Sequence, residues 1–227
     1  MQSNGSTASA HKPRTAREDR YQHHDYYGVD DLLTSEHLLA RDAVREWVKA
    51  EVSPIIEDYA NRAECPTQLF KGLAEIGAFG PSLPAEYGCG GMDEIAYGVI
   101  MQELERGDSG VRSMASVQGS LVMYPIYSYG NETQRRKYLP KLATGEWVGC
   151  FGLTEPNHGS DPASMITRAT PGRRDGVDGF MLKGAKMWIT NAPIADVFVV
   201  WAKLEGEGDG QSAIRGFILE KGMKGLT

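Results

Sequence analysis

The stretch FGLTEPNHGSD, from Phe151 to Asp161, marks the point at which the pattern of this chain changes. It continues an apolar run without helical period, Trp147 to Leu153, into a turn dense in Thr, Pro, Asn, Gly and Ser. Such a turn collects backbone N–H groups and hydroxyls in one place, which suits a bound ligand as well as a plain strand end. The residues before it have a helical pattern, and those after it have the pattern of short strands.

Five helices are predicted between residues 34 and 143, where apolar residues recur every three to four positions. Thr34 and Ser35 offer N-caps for the first helix, and Pro54 is expected to kink or end it. Asn131 and Gln134 have the spacing of a capping box, which predicts the start of the fifth helix. The expected apolar stripes contain Leu39, Ala43, Val44, Trp47, Val48 and Val52 in the first helix, and Met114, Val117 and Leu121 in the fourth.

Three apolar runs without helical period predict strands after residue 146, at 147–153, 197–202 and 214–219. Asp178-Gly179 is a hairpin signal. Short strands separated by turns predict a small antiparallel β-barrel. The predicted fold class is therefore α+β, with an all-α helical bundle at 30–145 followed by a β-domain at 146–227. That β-domain is expected to be incomplete, because the sequence stops in a turn-like stretch.

Composition narrows the class of protein. The net charge of −6 gives no reason to expect nucleic acid or an anionic membrane as partner, and no apolar run is long enough to cross a bilayer. Three widely spaced cysteines without a CxxC pair argue against a disulfide scaffold or a metal site. Residues 1–29 are expected to be a disordered tail; a transit peptide is the weaker alternative, because the tail lacks an apolar face. The expected location is the bacterial cytoplasm, or the mitochondrial matrix for a eukaryotic source.

A second segment, WITN from Trp188 to Asn191, has the flat aromatic side chain of Trp188 two residues before the hydroxyl of Thr190. Taken alone, it also fits a core tryptophan beside a β-forming threonine. The two segments together, in this order and after five helices, resemble the acyl-CoA dehydrogenase family, and most closely its glutaryl-CoA dehydrogenases. The resemblance runs from about residue 30 to the end of the chain. It includes GAFGPSLPAEYGCGGM at 77–92, ELERGDSGVRS at 103–113, QRRKYLPKLATGEWVGCFGLTEPNHGSD at 134–161 and IRGFILEKGMKGL at 214–226.

The resemblance implies FAD as cofactor, with its isoalloxazine ring between the helical domain and the β-domain. Thr154 would bind the pyrimidine end of the flavin, Trp188 would flank the ring, and Thr190 would bind near N5. Fixed donors at the pyrimidine end would stabilise the charge of the reduced flavin. The implied cofactor-binding residues are Phe151, Gly152, Leu153, Thr154, Trp188, Ile189 and Thr190.

The resemblance also implies an acyl-CoA substrate that contacts Ser160. Arg112 matches the arginine that binds the terminal carboxylate of glutaryl-CoA, and Glu105 and Ser113 match the polar residues beside it. Arginine suits this task because its planar guanidinium offers paired N–H donors to a carboxylate. The alternative is that Arg112 only forms a surface ion pair with Asp108, four residues earlier. Neighbouring Val111 departs from the tyrosine common in the family, so the shape of the substrate pocket is expected to differ.

The implied reaction is oxidation of an acyl-CoA thioester, with the oxidative decarboxylation of glutaryl-CoA to crotonyl-CoA and CO2 in lysine and tryptophan catabolism as the favoured case. Electrons would pass to an electron-transfer flavoprotein. The alternatives are a short-chain acyl-CoA dehydrogenase or oxidase without decarboxylation, and an inactive fragment that binds flavin or acyl-CoA.

No catalytic base is expected within this chain. The acidic candidates Glu105, Glu155 and Asp161 do not match the family's base, which is a glutamate in a C-terminal four-helix domain and is expected beyond residue 227. With that domain, part of the FAD site and much of the family's homotetramer interface are also expected to be missing. Activity of the isolated chain is therefore in doubt.

Overall fold

A computed structural model describes residues 26–174, 176–208 and 210–227. The predicted tail at 1–29 lies outside this range except for its last four residues. They form a turn and the first residue of a 3-10 helix, Val29–Leu32.

The described residues up to 143 contain seven α-helices where five were predicted, because two of the predicted helices are divided. The first divides around Pro54, and the fourth divides because its middle, Val117–Met123, is π-helical. The capping box of Asn131 and Gln134 is confirmed. The helices are α1 Ser35–Trp47, which continues as a π-helical turn Val48–Val52, α2 Ile56–Arg62, α3 Leu69–Glu75, α4 Glu94–Gly107, α5 Ser109–Ser116, α6 Tyr124–Tyr129 and α7 Glu132–Ala143.

The core confirms one apolar stripe of α1 and corrects the other. Val44 and Val48 are buried, but Leu39 is 72% exposed. Five positions at about 100° each place Leu39 roughly 140° away from Val44 around the helix. Leu121 is likewise 38% exposed, although it was predicted to be buried. The wider π-helical turn shifts the phase of the stripe, so that Val122 is buried instead.

The sheet is mixed and open, so the predicted closed antiparallel barrel is wrong. Its strands are β1 Gly149–Gly152, β2 Arg168–Arg174, β3 Val177–Lys183, β4 Val197–Leu204 and β5 Ile214–Glu220. Strand β4 pairs with β5 antiparallel along one side; along the other side it pairs with β1 and then β2, both parallel. Strand β3 pairs with β2 only. The long connections from β1 and β2 to β4 permit the parallel pairing, which a short hairpin could not.

The hairpin between β2 and β3 turns three residues earlier than predicted. Arg174 pairs with Val177, which places Asp178 and Gly179 inside β3. The sequence contains two Asp-Gly pairs in this region, and Gly176, the glycine of the first, has a φ of 82° in the turn. A left-handed φ of this kind suits glycine.

Gln118 connects the helices to the sheet. Its side chain is fully buried in the π-helical turn. The amide nitrogen donates to the carbonyls of Leu142 and Trp147 at 2.9 and 2.8 Å, and the amide oxygen accepts from the Gly149 N–H at 2.7 Å. Buried apolar residues from the helices and from β4 also form one cluster. In the described part of the chain, no helix has the length and apolar character needed to span a bilayer.

Candidate functional site

Strand β1 has one open edge. The N–H of Val197 donates to the carbonyl of Val148 at 3.1 Å, which sets the register between β1 and β4. Backbone groups alternate between the two sides of a strand, so Cys150 and Gly152 bond to β4. Phe151 and Leu153 therefore direct their backbone groups to the open edge.

Side chains occupy the two ends of this open edge. At one end the Gly149 N–H donates to Gln118, and the Gly149 carbonyl accepts from Asn191 Nδ2 at 3.2 Å. At the other end the Leu153 carbonyl accepts from Lys186 Nζ at 2.9 Å. Among the described residues, nothing bonds to the backbone of Phe151 along this edge, to the Leu153 N–H or to the Thr154 hydroxyl. A short row of donors and acceptors is thus open to a ligand.

The WITN segment lies against the end of this strand, in the loop between β3 and β4. The Met187 N–H donates to the carbonyl of Thr154 at 2.9 Å. Thr190 and Asn191 line a cleft of about 380 Å³, to which α5 contributes Val111. The structure therefore brings the two sequence segments together beside the helical region.

Trp188 is held in a costly conformation. Its φ is 61°, in the left-handed region, and 83% of the residue is exposed. A non-glycine residue pays roughly 1–2 kcal/mol for this backbone conformation, and the exposed indole gains no burial in return. Strain of this kind is often found where a ligand is bound, and a flat aromatic ligand would cover the ring.

A buried ion pair, which sequence reasoning missed, lies directly behind this loop. Lys186 Nζ is 2.9 Å from Glu155 Oε1, and the two side chains are 10% and 1% exposed. Glu155 also accepts from the N–H groups of Ile166 and Thr167 and from the Thr167 hydroxyl. Glu155 lies inside the segment FGLTEPNHGSD and Lys186 lies two residues before WITN, but no spacing in the sequence indicates that they pair.

The environment of Glu155 makes it a poor base. Burial alone would raise the pKa of this carboxyl, but the Thr167 hydroxyl, the two backbone N–H groups and Lys186 outweigh burial and lower the pKa to about 2. A general base works best with a pKa near the working pH. The other two acidic candidates are also engaged, because Glu105 pairs with Arg112 and Asp161 accepts from the Ser164 hydroxyl.

Arg112 lies on α5 and pairs with Glu105 rather than with Asp108. Its Nε is 2.5 Å from Glu105 Oε2, and its Nη1 is 3.3 Å from the Ser116 hydroxyl. Asp108 is the N-cap of α5, and its carboxylate accepts from the Val111 N–H at 2.8 Å. The surface pair with Asp108, considered from the sequence, is therefore wrong.

The Arg112 group remains accessible at its outer side. A guanidinium has five N–H donors, and Arg112 uses two of them within the described residues. The Ser109 hydroxyl and Arg112 together lower the pKa of Glu105. The ion pair is neutral overall, and its guanidinium keeps three spare donors.

Two further predicted residues, Ser113 and Ser160, form no side-chain hydrogen bond with these groups among the described residues. Ser113 is half-buried on α5, and its carbonyl accepts from the Ser116 hydroxyl. Ser160 is exposed just after the turn that Glu155 and His158 close with two backbone hydrogen bonds. Among the described residues, no hydrogen bond joins Ser160 to Arg112 or Trp188. A search of the same residues for three or more His, Cys, Asp or Glu side chains placed to hold a metal finds none.

Comparison with known proteins places this site in a family. The family model "Acyl-CoA dehydrogenase, N-terminal domain" matches residues 34–146, and "Acyl-CoA dehydrogenase, middle domain" matches residues 150–227. The chain is 36% identical over 195 residues to an acyl-CoA dehydrogenase of Bacillus subtilis, covering 86% of this chain and 50% of that protein. It is 37% identical over 201 residues to a short-chain specific acyl-CoA dehydrogenase of Clostridium acetobutylicum, covering 88% and 51%.

A solved structure agrees with these matches. The glutaryl-CoA dehydrogenase of Mycobacterium smegmatis in complex with FADH2 superposes with a TM-score of 0.81 at 44% sequence identity, over 88% of this chain and 49% of that one. The chain thus spans about half the length of the curated relatives it matches. With both domain models matched in order along the helical and sheet regions, the chain belongs to the acyl-CoA dehydrogenase family.

Proposed function

We propose that these residues form the part of an FAD-dependent enzyme that contacts the flavin and the acyl group of the substrate. The enzyme oxidises glutaryl-CoA and decarboxylates the product to crotonyl-CoA and CO2, as in lysine and tryptophan catabolism. The helical domain at 30–145 and the β-domain at 146–227 would enclose the cofactor. The observation that supports the proposal is the hydrogen bond from the Met187 N–H to the Thr154 carbonyl, because Met187 directly precedes the exposed Trp188 and Thr154 follows the open edge of β1.

The residues present fit a flavin. The free backbone groups of Phe151 and Leu153 and the Thr154 hydroxyl match the donors and acceptors of a pyrimidine edge. Trp188 offers an uncovered aromatic face beside them. When bound, FAD supplies the acceptor for the hydride that leaves the β-carbon of the substrate. Gly152, Ile189 and Thr190 complete the proposed cofactor site.

Arg112 supports a substrate with a terminal carboxylate. Its spare donors are directed by two fixed contacts, with Glu105 and with Ser116, so a second carboxylate could bind without reorganising the side chain. Ser113 would lie beside that carboxylate, and Ser160 would contact the CoA part of the substrate. A charge-assisted contact of this kind is worth about 1.5–3 kcal/mol, or roughly 10- to 150-fold in binding.

The base that removes the α-proton is proposed to come from a region outside these residues, since Glu105, Glu155 and Asp161 are engaged elsewhere. An electron-transfer flavoprotein is the proposed electron acceptor, and a homotetramer the proposed assembly of the whole enzyme. The bacterial cytoplasm is the proposed location.

A simple short-chain acyl-CoA is the second candidate substrate. The identity to a short-chain specific relative, 37%, is similar to the identity to other curated members. In that case Arg112 would serve only to hold Glu105.

Binding of two substrates to two proteins tests the choice. In the enzyme that carries these residues, Arg112→Ala is expected to weaken glutaryl-CoA binding by about 10- to 150-fold and to leave butyryl-CoA binding unchanged, as measured by isothermal titration calorimetry. The matched control is Arg136→Ala, which removes an exposed arginine paired with Glu132 on α7. Equal affinity for both acyl-CoAs in the wild type and in Arg112→Ala would exclude glutaryl-CoA as the preferred substrate. Absence of visible flavin absorbance from the protein after FAD is added would exclude the proposed cofactor site.

A further inference from the structure

The loop that carries Trp188 and Thr190 has a strained backbone, which neighbouring residues must hold in place. Both Trp188 and Asn191 have left-handed φ values, 61° and 68°. Asparagine adopts this conformation readily, but a bulky residue such as tryptophan keeps it only where surrounding contacts fix it. Besides the backbone bonds of Met187 to Thr154 and of Ala192 to Ile189, two side chains hold this loop, Lys186 before it and Asn191 at its end.

We propose that the buried Glu155–Lys186 pair is a latch that holds the start of this loop on the end of β1 and thereby sets the orientation of Trp188. Lys186 and Glu155 are then positioning residues, which touch no substrate. The inference rests on the proposed function only in its statement of what Trp188 faces.

The ammonium group of Lys186 joins the two proposed flavin-binding segments directly. It donates to the Leu153 carbonyl and to Glu155, each at 2.9 Å, and its remaining side lies 3.9 Å from the Met165 sulfur. The lysine stem crosses β1 at Gly152, where an added Cβ would lie 3.4 Å from Lys186 Cγ. The lysine therefore fixes its own backbone, and Met187 after it, against β1.

Glu155 connects Lys186 to the sheet through hydrogen bonds. Its carboxylate accepts from Ile166 and Thr167, the two residues immediately before β2. Thr167 in turn accepts a backbone bond from Lys203 of β4 at 2.9 Å. The latch is thus anchored on two strands of the sheet and not only on the neighbouring turn.

The far end of the loop is fixed separately. Asn191 donates to the Gly149 carbonyl at 3.2 Å and lies 3.5 Å from the Met114 carbonyl of α5. Only Trp188, Ile189 and Thr190 lie between the two anchored ends, Met187 and Asn191. Their orientation therefore depends on both anchors.

A buried ion pair adds little net stability, because desolvation offsets most of the attraction. The presence of the Glu155–Lys186 pair is therefore better explained by a role in positioning the loop than by a role in stabilising the fold. The chain offers a control ion pair away from the loop, Arg45 with Glu103 between α1 and α4. Glu103 is buried, accepts from Arg45 at 3.0 and 2.7 Å and also pairs with Arg106.

Hydrogen exchange measured by mass spectrometry tests the latch without any cofactor. Lys186→Met keeps the length of the side chain and removes its donors. We expect exchange at the Met187 amide, which bonds to Thr154, to rise by about 10- to 150-fold, the factor that corresponds to loss of a charge-assisted hydrogen bond. Peptides outside 151–155 and 184–191 should be unchanged. Arg45→Met should raise exchange in α1 and α4 and leave the loop protected.

A second variant covers the case in which Lys186→Met fails to fold because Glu155 is left buried and unpaired. The double variant Lys186→Met with Glu155→Gln removes that charge and should show the same local loss of protection. Unchanged exchange at Met187 in a folded variant, or an increase of equal size throughout the chain, would overturn the latch.

FAD titration then tests the consequence of the latch. The double variant should bind FAD more weakly, by about 10-fold or more, and the visible spectrum of its bound flavin should lose the perturbation caused by Trp188. Arg45→Met should change neither. In the enzyme that carries these residues, failure of the wild type to bind FAD would refute the proposed function, while the exchange result would still decide on the latch.

Discussion

At the residue scale, Trp188 lowers the stability of the free protein but lies where its indole ring can contact a ligand. Its left-handed backbone would suit glycine, yet the position carries the largest side chain, 83% exposed. In the proposed complex the indole covers one face of a flavin, which recovers burial that the free protein lacks.

Trp188→Gly is therefore expected to be more stable than Trp188→Ala by roughly 1 kcal/mol, because glycine alone relieves the left-handed strain. In most positions alanine is the more stable of the two. Both variants should bind FAD more weakly than the wild type. Urea unfolding gives the free energies, and flavin absorbance gives the binding. A glycine variant less stable than the alanine variant would show that the strain is not real.

Glu155 gives a pH dependence of defined sign. Its folded pKa of about 2 lies below the ordinary value of 4.5. A lowered carboxyl pKa contributes stability that is fully present above the unfolded pKa and is lost as the pH falls towards the folded pKa. The pH window is therefore about 4.5 down to about 2.

The free energy of unfolding of the wild type should exceed that of Glu155→Gln most clearly above pH 4.5. This difference should shrink by roughly 3 kcal/mol across the window. Urea unfolding at a series of pH values measures it. Glu146→Gln is the control, since Glu146 pairs with Lys141 on the surface and should show little pH effect. A difference independent of pH would contradict the lowered pKa.

At the scale of elements, one buried amide makes three of the hydrogen bonds between the helices and the sheet. Gln118 satisfies two carbonyls and one N–H in the interior. Gln118→Met keeps the size of the side chain and leaves these three groups without partners, so we expect a loss of about 3 kcal/mol. Gln134→Met, which removes an exposed capping contact, should cost less than about 1 kcal/mol. Similar losses in both variants, by urea unfolding, would show that the joint does not depend on Gln118.

The helices were largely predictable because their signals are local. Asn131 and Gln134 are three residues apart and contact each other within one helical turn, so their spacing alone predicts the capping box. Val44 and Val48 were predicted to be buried for the same reason. Leu121 was misjudged, since a π-helical turn leaves no local mark in the spacing of apolar residues.

The sheet and the site were less predictable because their contacts join residues far apart in sequence. The parallel pairing of β1 with β4 joins Gly149 to Val197 across a long connection. Lys186 is 31 residues from Glu155, and nothing near either residue predicts the pair. The sequence segments were brought together as expected, but the contacts that hold them together came only from the structure.

At the scale of the whole molecule, the helical and sheet regions form one packed body. Val197 and Val199 of β4 belong to the same apolar cluster as the buried residues of the helices. Tyr138 of α7 also donates to Glu220 of β5 at 2.7 Å. Neither region buries its apolar face alone.

We therefore expect a single unfolding transition in urea. The midpoints from far-ultraviolet circular dichroism, which reports mainly the helices, and from the fluorescence of Trp201 in β4 should coincide. A variant with Trp47, Trp147 and Trp188 replaced by phenylalanine isolates the Trp201 signal, and its dichroism should match that of the wild type. Two separate midpoints would mean that the regions unfold independently.

The open edge of β1 also bears on how copies of this chain avoid joining one another. An unpaired strand edge is a template on which a second chain can add a strand and start an aggregate. Here Gln118, Asn191 and Lys186 occupy the backbone groups at both ends of the edge. The free backbone groups between these side chains are too few for another strand to pair with, but they can bind a heterocycle. The side chains at the two ends of the proposed flavin site therefore also prevent the protein from polymerising through this edge.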